Sequence, residues 1–137
     1  MLKSVVIAVL IQGLPSLTAA QDGAAFDIVC TGHQRGRIMD QPIDGELENR
    51  IAINLETRQW CQQPCQRIES ISVIEPGLLT LSDRTKRVGS ETFIDRVTLD
   101  RRTGAYESYF GNDDFGAIIG SATCERAEFT PFPAMRF

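Results

Sequence analysis

Beyond residue 20 the chain is almost without lysine and histidine, with one of each, Lys86 and His33. A lone imidazole leaves no second one for the two-histidine zinc sites, and a four-thiolate site would need every cysteine reduced. Also missing are a Gly-x-Ser-x-Gly elbow, a P-loop and a His-Glu-x-x-His pair, which removes the nucleophile, phosphate-cradle and zinc-protease chemistries those spacings support. No apolar run approaches the ~20 residues of a helical membrane span. An excess of positive charge is lacking as well, with 14 Lys and Arg against 18 Asp and Glu. Nucleic acids and anionic membranes both need a basic face, so neither is an expected partner. Nor is there any stretch with a sustained 3.6-residue apolar period, so long amphipathic helices are not expected.

At the N-terminus, Lys3, the apolar residues 5–11, the breakers Gly13 and Pro15, and small Thr18-Ala19-Ala20 form the pattern of a secretory signal peptide cleaved before Gln21. Two segments are therefore expected: a signal over residues 1–20 and one exported domain over residues 21–137. Losing Lys3 leaves 13 cations against 18 acids, a net charge of −5.

The exported domain keeps four cysteines, Cys30, Cys61, Cys65 and Cys124. In an oxidising compartment an even set is read as disulfides. Residues i and i+4 of a strand lie about 13 Å apart at about 3.3 Å per residue, too far for a bridge, which needs Cα atoms within about 7 Å. Cys61 and Cys65 can thus pair only where the chain turns, and Pro64 between them marks a turn. Cys61–Cys65 is the expected short staple, leaving Cys30–Cys124 to tie the two ends of the domain. A redox role would want Cys-x-x-Cys at a helix start, which Arg58-Gln-Trp-Cys-Gln-Gln-Pro-Cys-Gln-Arg67 does not offer.

Period-two alternation runs through residues 26–31, 51–56, 70–73 and 92–99, the mark of strands. Turn signals separate them. Glu75-Pro76-Gly77 joins two apolar runs, Asp100 to Gly104 reads as a four-residue hairpin loop, and a further hairpin is expected at Thr57-Arg58. Three stretches read as loops: residues 32–46, 83–90 and 111–121. The cation cluster Arg84-Thr85-Lys86-Arg87 and His33 fall in two of them, as solvated groups. The expected fold is all-β, an antiparallel meander of seven to nine mostly short strands closing into a small barrel or sandwich with two disulfides.

Phe26-Asp-Ile-Val-Cys-Thr-Gly32, the Arg-Gln-Trp-Cys-x₃-Cys run, Asp95-Arg-Val-Thr-Leu-Asp-Arg-Arg-Thr-Gly-Ala-Tyr106 and Cys124 before a Phe/Pro tail resemble small exported bacterial β-rich proteins that carry no assigned activity. The resemblance spans nearly all of residues 21–137. It implies a fold type and an export route to the periplasm or the exterior.

No catalytic residue, metal ligand or cofactor is assigned from the sequence. Gly111-Asn-Asp-Asp-Phe-Gly116 has oxygen ligands but lacks the spacing and distal Glu of an EF-hand, so it reads as a turn. The tail carries Phe129, Phe132, Met135 and Phe137 around Pro131 and Pro133. It is expected to lie over an edge or end of the fold, and its apolar residues are the candidate binding residues. The expected function is a non-catalytic envelope or secreted binding module for a protein or a small apolar ligand. The alternative is a small secreted hydrolase working through two carboxylates brought together by the fold.

Overall fold

A computed structural model describes residues 23–134. The expected signal segment, Met135 and Phe137 lie outside the described residues. The strands are β1 (Ala25–Ile38), β2 (Gln41–Asn54), β3 (Gln59–Gln62), β4 (Glu69–Ser70), β5 (Val73–Ile74), β6 (Leu78–Val88), β7 (Glu91–Asp100), β8 (Ala105–Asn112) and β9 (Gly116–Ala127). They form one antiparallel sheet in the order β4-β3-β2-β1-β9-β8-β7-β6-β5. Among the described residues there is no helix.

The sheet curls so that its two edges are joined by a single run of chain. β4 pairs with β3, and β5, three residues on, pairs with β6. Between them the Ile71 amide donates to the Arg58 carbonyl, and the Ser72 amide donates to the Thr80 carbonyl. One end of the half-barrel is thereby closed around the core, where Phe26, Ile28, Ile51, Ile53, Trp60, Leu79, Leu81, Leu99 and Tyr106 are buried. Period two dictates this face: Ile28 stands opposite Ile51, and Phe26 opposite Ile53. Burial pushes the Tyr106 phenol up from its ordinary pKa, against the lowering effect of its bonds to Ser108 and Asn49.

Both disulfides are the expected pairs. Cys30 and Cys124 face each other across β1 and β9 with Cα atoms 4.0 Å apart. Cys61 and Cys65 close the turn that leaves β3, with Cα atoms 5.5 Å apart, and the Gln63–Pro64 peptide in it is cis.

The tail lies on the convex side of the closed end. Asp27 is fully buried there. Its Oδ2 accepts from Arg50 Nε at 2.7 Å and from the Thr130 hydroxyl at 2.7 Å, and its Oδ1 accepts from the Thr130 amide at 3.0 Å. Arg50 also donates to the Glu128 carbonyl. Phe129 and Phe132 are half-buried and meet edge to face with centroids 5.5 Å apart.

The turns at Glu75-Pro76-Gly77 and at Thr57-Arg58 are where the sequence puts them. So is the loop after β7, where Asp100 Oδ1 accepts from the amides of Arg102 and Thr103, and Gly104 has φ 76°. Those two backbone bonds, the first the larger, lower the Asp100 pKa. A depressed carboxylate contributes stability above its unfolded pKa and loses it as pH falls through the folded value. Asp100→Ala is therefore expected to lower the melting temperature at neutral pH and to leave it unchanged well below the ordinary aspartate range. Thermal scans of both proteins from neutral to strongly acid pH check this. An undiminished difference in acid would contradict it.

The three expected loops are largely strand instead. Residues 32–46 contain the long hairpin of β1 and β2, turning only at Met39-Asp40, both with positive φ. Residues 83–90 are β6 up to a turn at Gly89-Ser90, and residues 111–121 are mostly β9. Strand length is corrected with them: β1 and β2 have 14 residues each, β6 has 11 and β9 has 12. These arms pass beyond the core, so their alternation sets charge against glycine or isolated apolar residues, and the apolar period fades. A β-bulge between Thr80 and Ser82 also shifts the phase of β6, hiding its pattern.

Candidate functional site

β3, β4 and β5 reach only part of the way along their neighbours. β2 pairs with β3 from Ile51 to Asn54, and β6 pairs with β5 only at Leu79 and Thr80. Past these points residues 41–49 and 82–88 have no second strand partner among the described residues. The half-barrel therefore has a closed, filled end and an open end whose concave face lies between two free edges.

The registers place this concave face row by row. The last core row holds Leu47, Gly32, Ala122, Tyr106, Leu99 and Leu79. The next row, Gly45, Gln34, Gly120, Ser108, Val97 and Ser82, is made mostly of small side chains. Above it comes Ile43, Gly36, Ile118, Phe110, Asp95 and Arg84. The row after that includes Ile38 and Gly116 on one side and Phe93 opposite Lys86 on the other. Large apolar groups thus stand above a row of glycines and serines; at Gly120 the space a Cβ would take is filled by Leu47 and the Ser108 hydroxyl, so the hollow lies on the Gly45 side of the row. A Cβ at Gly36 would run into the Ala117 carbonyl oxygen, so that strand approach requires glycine. A Cβ on Gly45 would meet nothing within 4 Å, so its side-chain direction opens into free space.

Aromatic rings form one wall. Phe93 and Phe110 stack with centroids 5.3 Å apart, and Phe115 tilts onto Phe93 at 5.9 Å. Phe115 belongs to the turn that Asn112 builds, its Oδ1 accepting from the amides of Asp114 and Phe115. The Phe115 carbonyl accepts from the Met39 amide at 2.9 Å, tying the two turns at the open end together. Phe110 is 37% exposed and Val88 53% exposed, which is high for apolar groups on the concave side of a sheet.

The polar end of the face is organised by Arg84. It donates to Glu69 Oε1 at 3.0 Å and to Asp95 Oδ2 at 3.0 Å. The Glu69 bond, outweighing burial, holds its guanidinium above the ordinary arginine range. Glu69 and Asp95, with side chains 15% and 22% exposed, are partly buried carboxylates on this face, and the same guanidinium engages both. Lys86, one step further along the same face of β6, forms no ion pair among the described residues. Beside this network a cleft of about 350 Å³ lies along the Cys61–Cys65 turn, lined by Trp60, Gln62, Gln63 and Arg67.

Of the residues singled out in the sequence, the cysteines are bridged, and Phe129 and Phe132 sit with the tail on the convex side, away from this hollow. His33 is corrected from loop to strand: it lies on the outward face of β1, exposed, bonded to Asp44 at 2.5 Å. The 84–87 cluster is likewise strand, with Arg84 and Lys86 inward and Arg87 outward. Sequence reading missed the concave residues Gly36, Gly45, Phe93, Phe110 and Ile118. Their signal was the recurrence of glycine four residues apart, at 32 and 36 and at 116 and 120.

Comparison of the chain with protein-family models, with curated proteins and with solved structures finds no match.

Proposed function

We propose that the protein is an exported, non-catalytic binding module that holds a small apolar ligand in the open half of its barrel. The observation that carries this reading is the open space at Gly45 on a concave face where Phe110 and Val88 are exposed and Ile118 is half-buried, between two strand edges. Apolar surface left on a concave wall is stabilised by any apolar occupant, at about 25 cal/mol for each Å² removed from water. Rigid support for the wall comes from the Cys30–Cys124 bridge across β1 and β9 and from the Met39–Phe115 tie at its rim. Bridging of all four cysteines accords with an oxidising compartment, as the export signal expects.

Gly45 supplies the test. A Cβ at Gly45 meets no heavy atom within 4 Å and the backbone there is not left-handed, so Gly45→Phe directs a ring into that open space. Titration with 1-decanol, followed by amide shifts in two-dimensional NMR, is expected to show saturable binding. The moving amides should be those of residues 34–36, 45, 110 and 118. In Gly45→Phe the affinity should fall at least about tenfold, as for blocking a site worth a few buried methylenes, with the melting temperature maintained. Unchanged affinity in a folded Gly45→Phe protein would refute the site.

A further inference from the structure

Resting on that reading of the hollow, we infer that its ligand is an anionic amphiphile, with its chain against the aromatic wall and its head group at Lys86. The charge on the concave face is unevenly used. Arg84 is held between Glu69 and Asp95, so its charge is already matched inside the protein. Lys86 stands two residues further along β6, hence on the same face, and directly opposite Phe93 in the register. It has no carboxylate partner among the described residues. The residues that flank it on the concave side are Arg84, Val88 and Phe93, and of the two acids diagonal to it on β7, Asp95 is engaged by Arg84 and Glu91 has its carboxylate beside Asn112.

A lysine stem lies readily along apolar surface while its ammonium stays at the water boundary. Here that places one unmatched cation at the rim of an apolar trough, the arrangement that fits a chain ending in a negative group. A neutral apolar ligand would leave the ammonium unused. A cationic one would meet Lys86 and Arg84 with like charge. Lys86 is also the only lysine of the chain after residue 20, in a protein whose other cations there are arginines. A flexible single-point donor suits a mobile head group better than a planar fork does. A free fatty acid and a monoacyl phospholipid share this chemistry.

Decanoate and 1-decanol, equal in chain length, separate the head-group contribution from the chain. The wild-type protein should bind decanoate about fivefold more tightly than 1-decanol at low salt, the size of an exposed ion pair, and the advantage should shrink as salt rises. In Lys86→Gln the preference should vanish while 1-decanol binds as before, and Lys86→Glu should prefer 1-decanol. Lysophosphatidylglycerol alongside decanoate then shows which source of the anionic head is favoured, either result being consistent with the inference. Equal wild-type affinities for decanoate and 1-decanol, or a decanoate preference that survives in Lys86→Gln, would overturn the head-group assignment and leave the hollow as an apolar site. Failure of both probes to bind would overturn the hollow itself, and the assignment with it.

Discussion

Replacing Cys30 and Cys124 together by alanine is expected to be among the most damaging changes the fold can receive, costing about 2–5 kcal/mol. The two residues are 94 apart in sequence, so the bridge closes almost the whole domain into one loop. In the chain-entropy account a closure of that length stabilises by about 4–5 kcal/mol, whereas the four-residue separation of Cys61–Cys65 gives only about 2. Position adds to length. Cys30 is fully buried within the core cluster, and β1 and β9, the first and last strands in chain order, lie side by side in the middle of the sheet, so their seam joins its two halves. Losing the bridge leaves that seam to backbone hydrogen bonds alone. At about 4 °C or more per kcal/mol for a domain of this size, the melting temperature should drop by about 10–20 °C. Cys61→Ala with Cys65→Ala should lower it clearly less. Calorimetry of the two double variants checks the order, and an equal drop in both would contradict the account.

Arg50→Ala should come next, through the buried carboxylate it leaves behind. Asp27 has no exposed surface, and a fully buried charge pair broken from one side costs about 3–5 kcal/mol. Arg50 is itself 44% exposed, so less of its own hydration was given up, and the two Thr130 donors remain. Both effects put the loss near the low end, about 3 kcal/mol. The sharper expectation concerns the double variant. With Asp27→Ala added to Arg50→Ala no charge is stranded, so the double variant should be more stable than Arg50→Ala alone. A urea-denaturation cycle over the four proteins measures this coupling. If Arg50→Ala costs under about 1 kcal/mol, or if adding Asp27→Ala destabilises it further, the carboxylate is not held as described. The same cycle bears on the tail, because Thr130 and the Glu128 carbonyl share these partners.

Local chemistry was legible wherever one residue's geometry decides the outcome. Asp100 and Gly104 announced their loop, since an aspartate that accepts from its own turn and a glycine at positive φ suffice to make one. Pro64 between Cys61 and Cys65 required a turn and so the short bridge, and elimination then paired Cys30 with Cys124. Alternation around Ile28, Ile51 and Ile53 marked the strands that carry the core. Past the core the same reasoning misplaced residues 32–46, because a strand that faces water on one side and a hollow on the other has no reason to alternate apolar with polar. The turn at Met39-Asp40 carries no glycine or asparagine to announce it, and the bulge after Thr80 reverses the phase of β6, so Arg84 and Lys86 read as a solvated turn. All-β architecture, two staples and the core strands were thus determined by the sequence alone. The open end, the hollow beside Gly45, and the inward turn of Lys86 were decided only by the tertiary structure. They depend on where β3, β4 and β5 stop and on which residues four neighbouring strands bring into one row, relations between distant segments that no spacing within a single segment encodes.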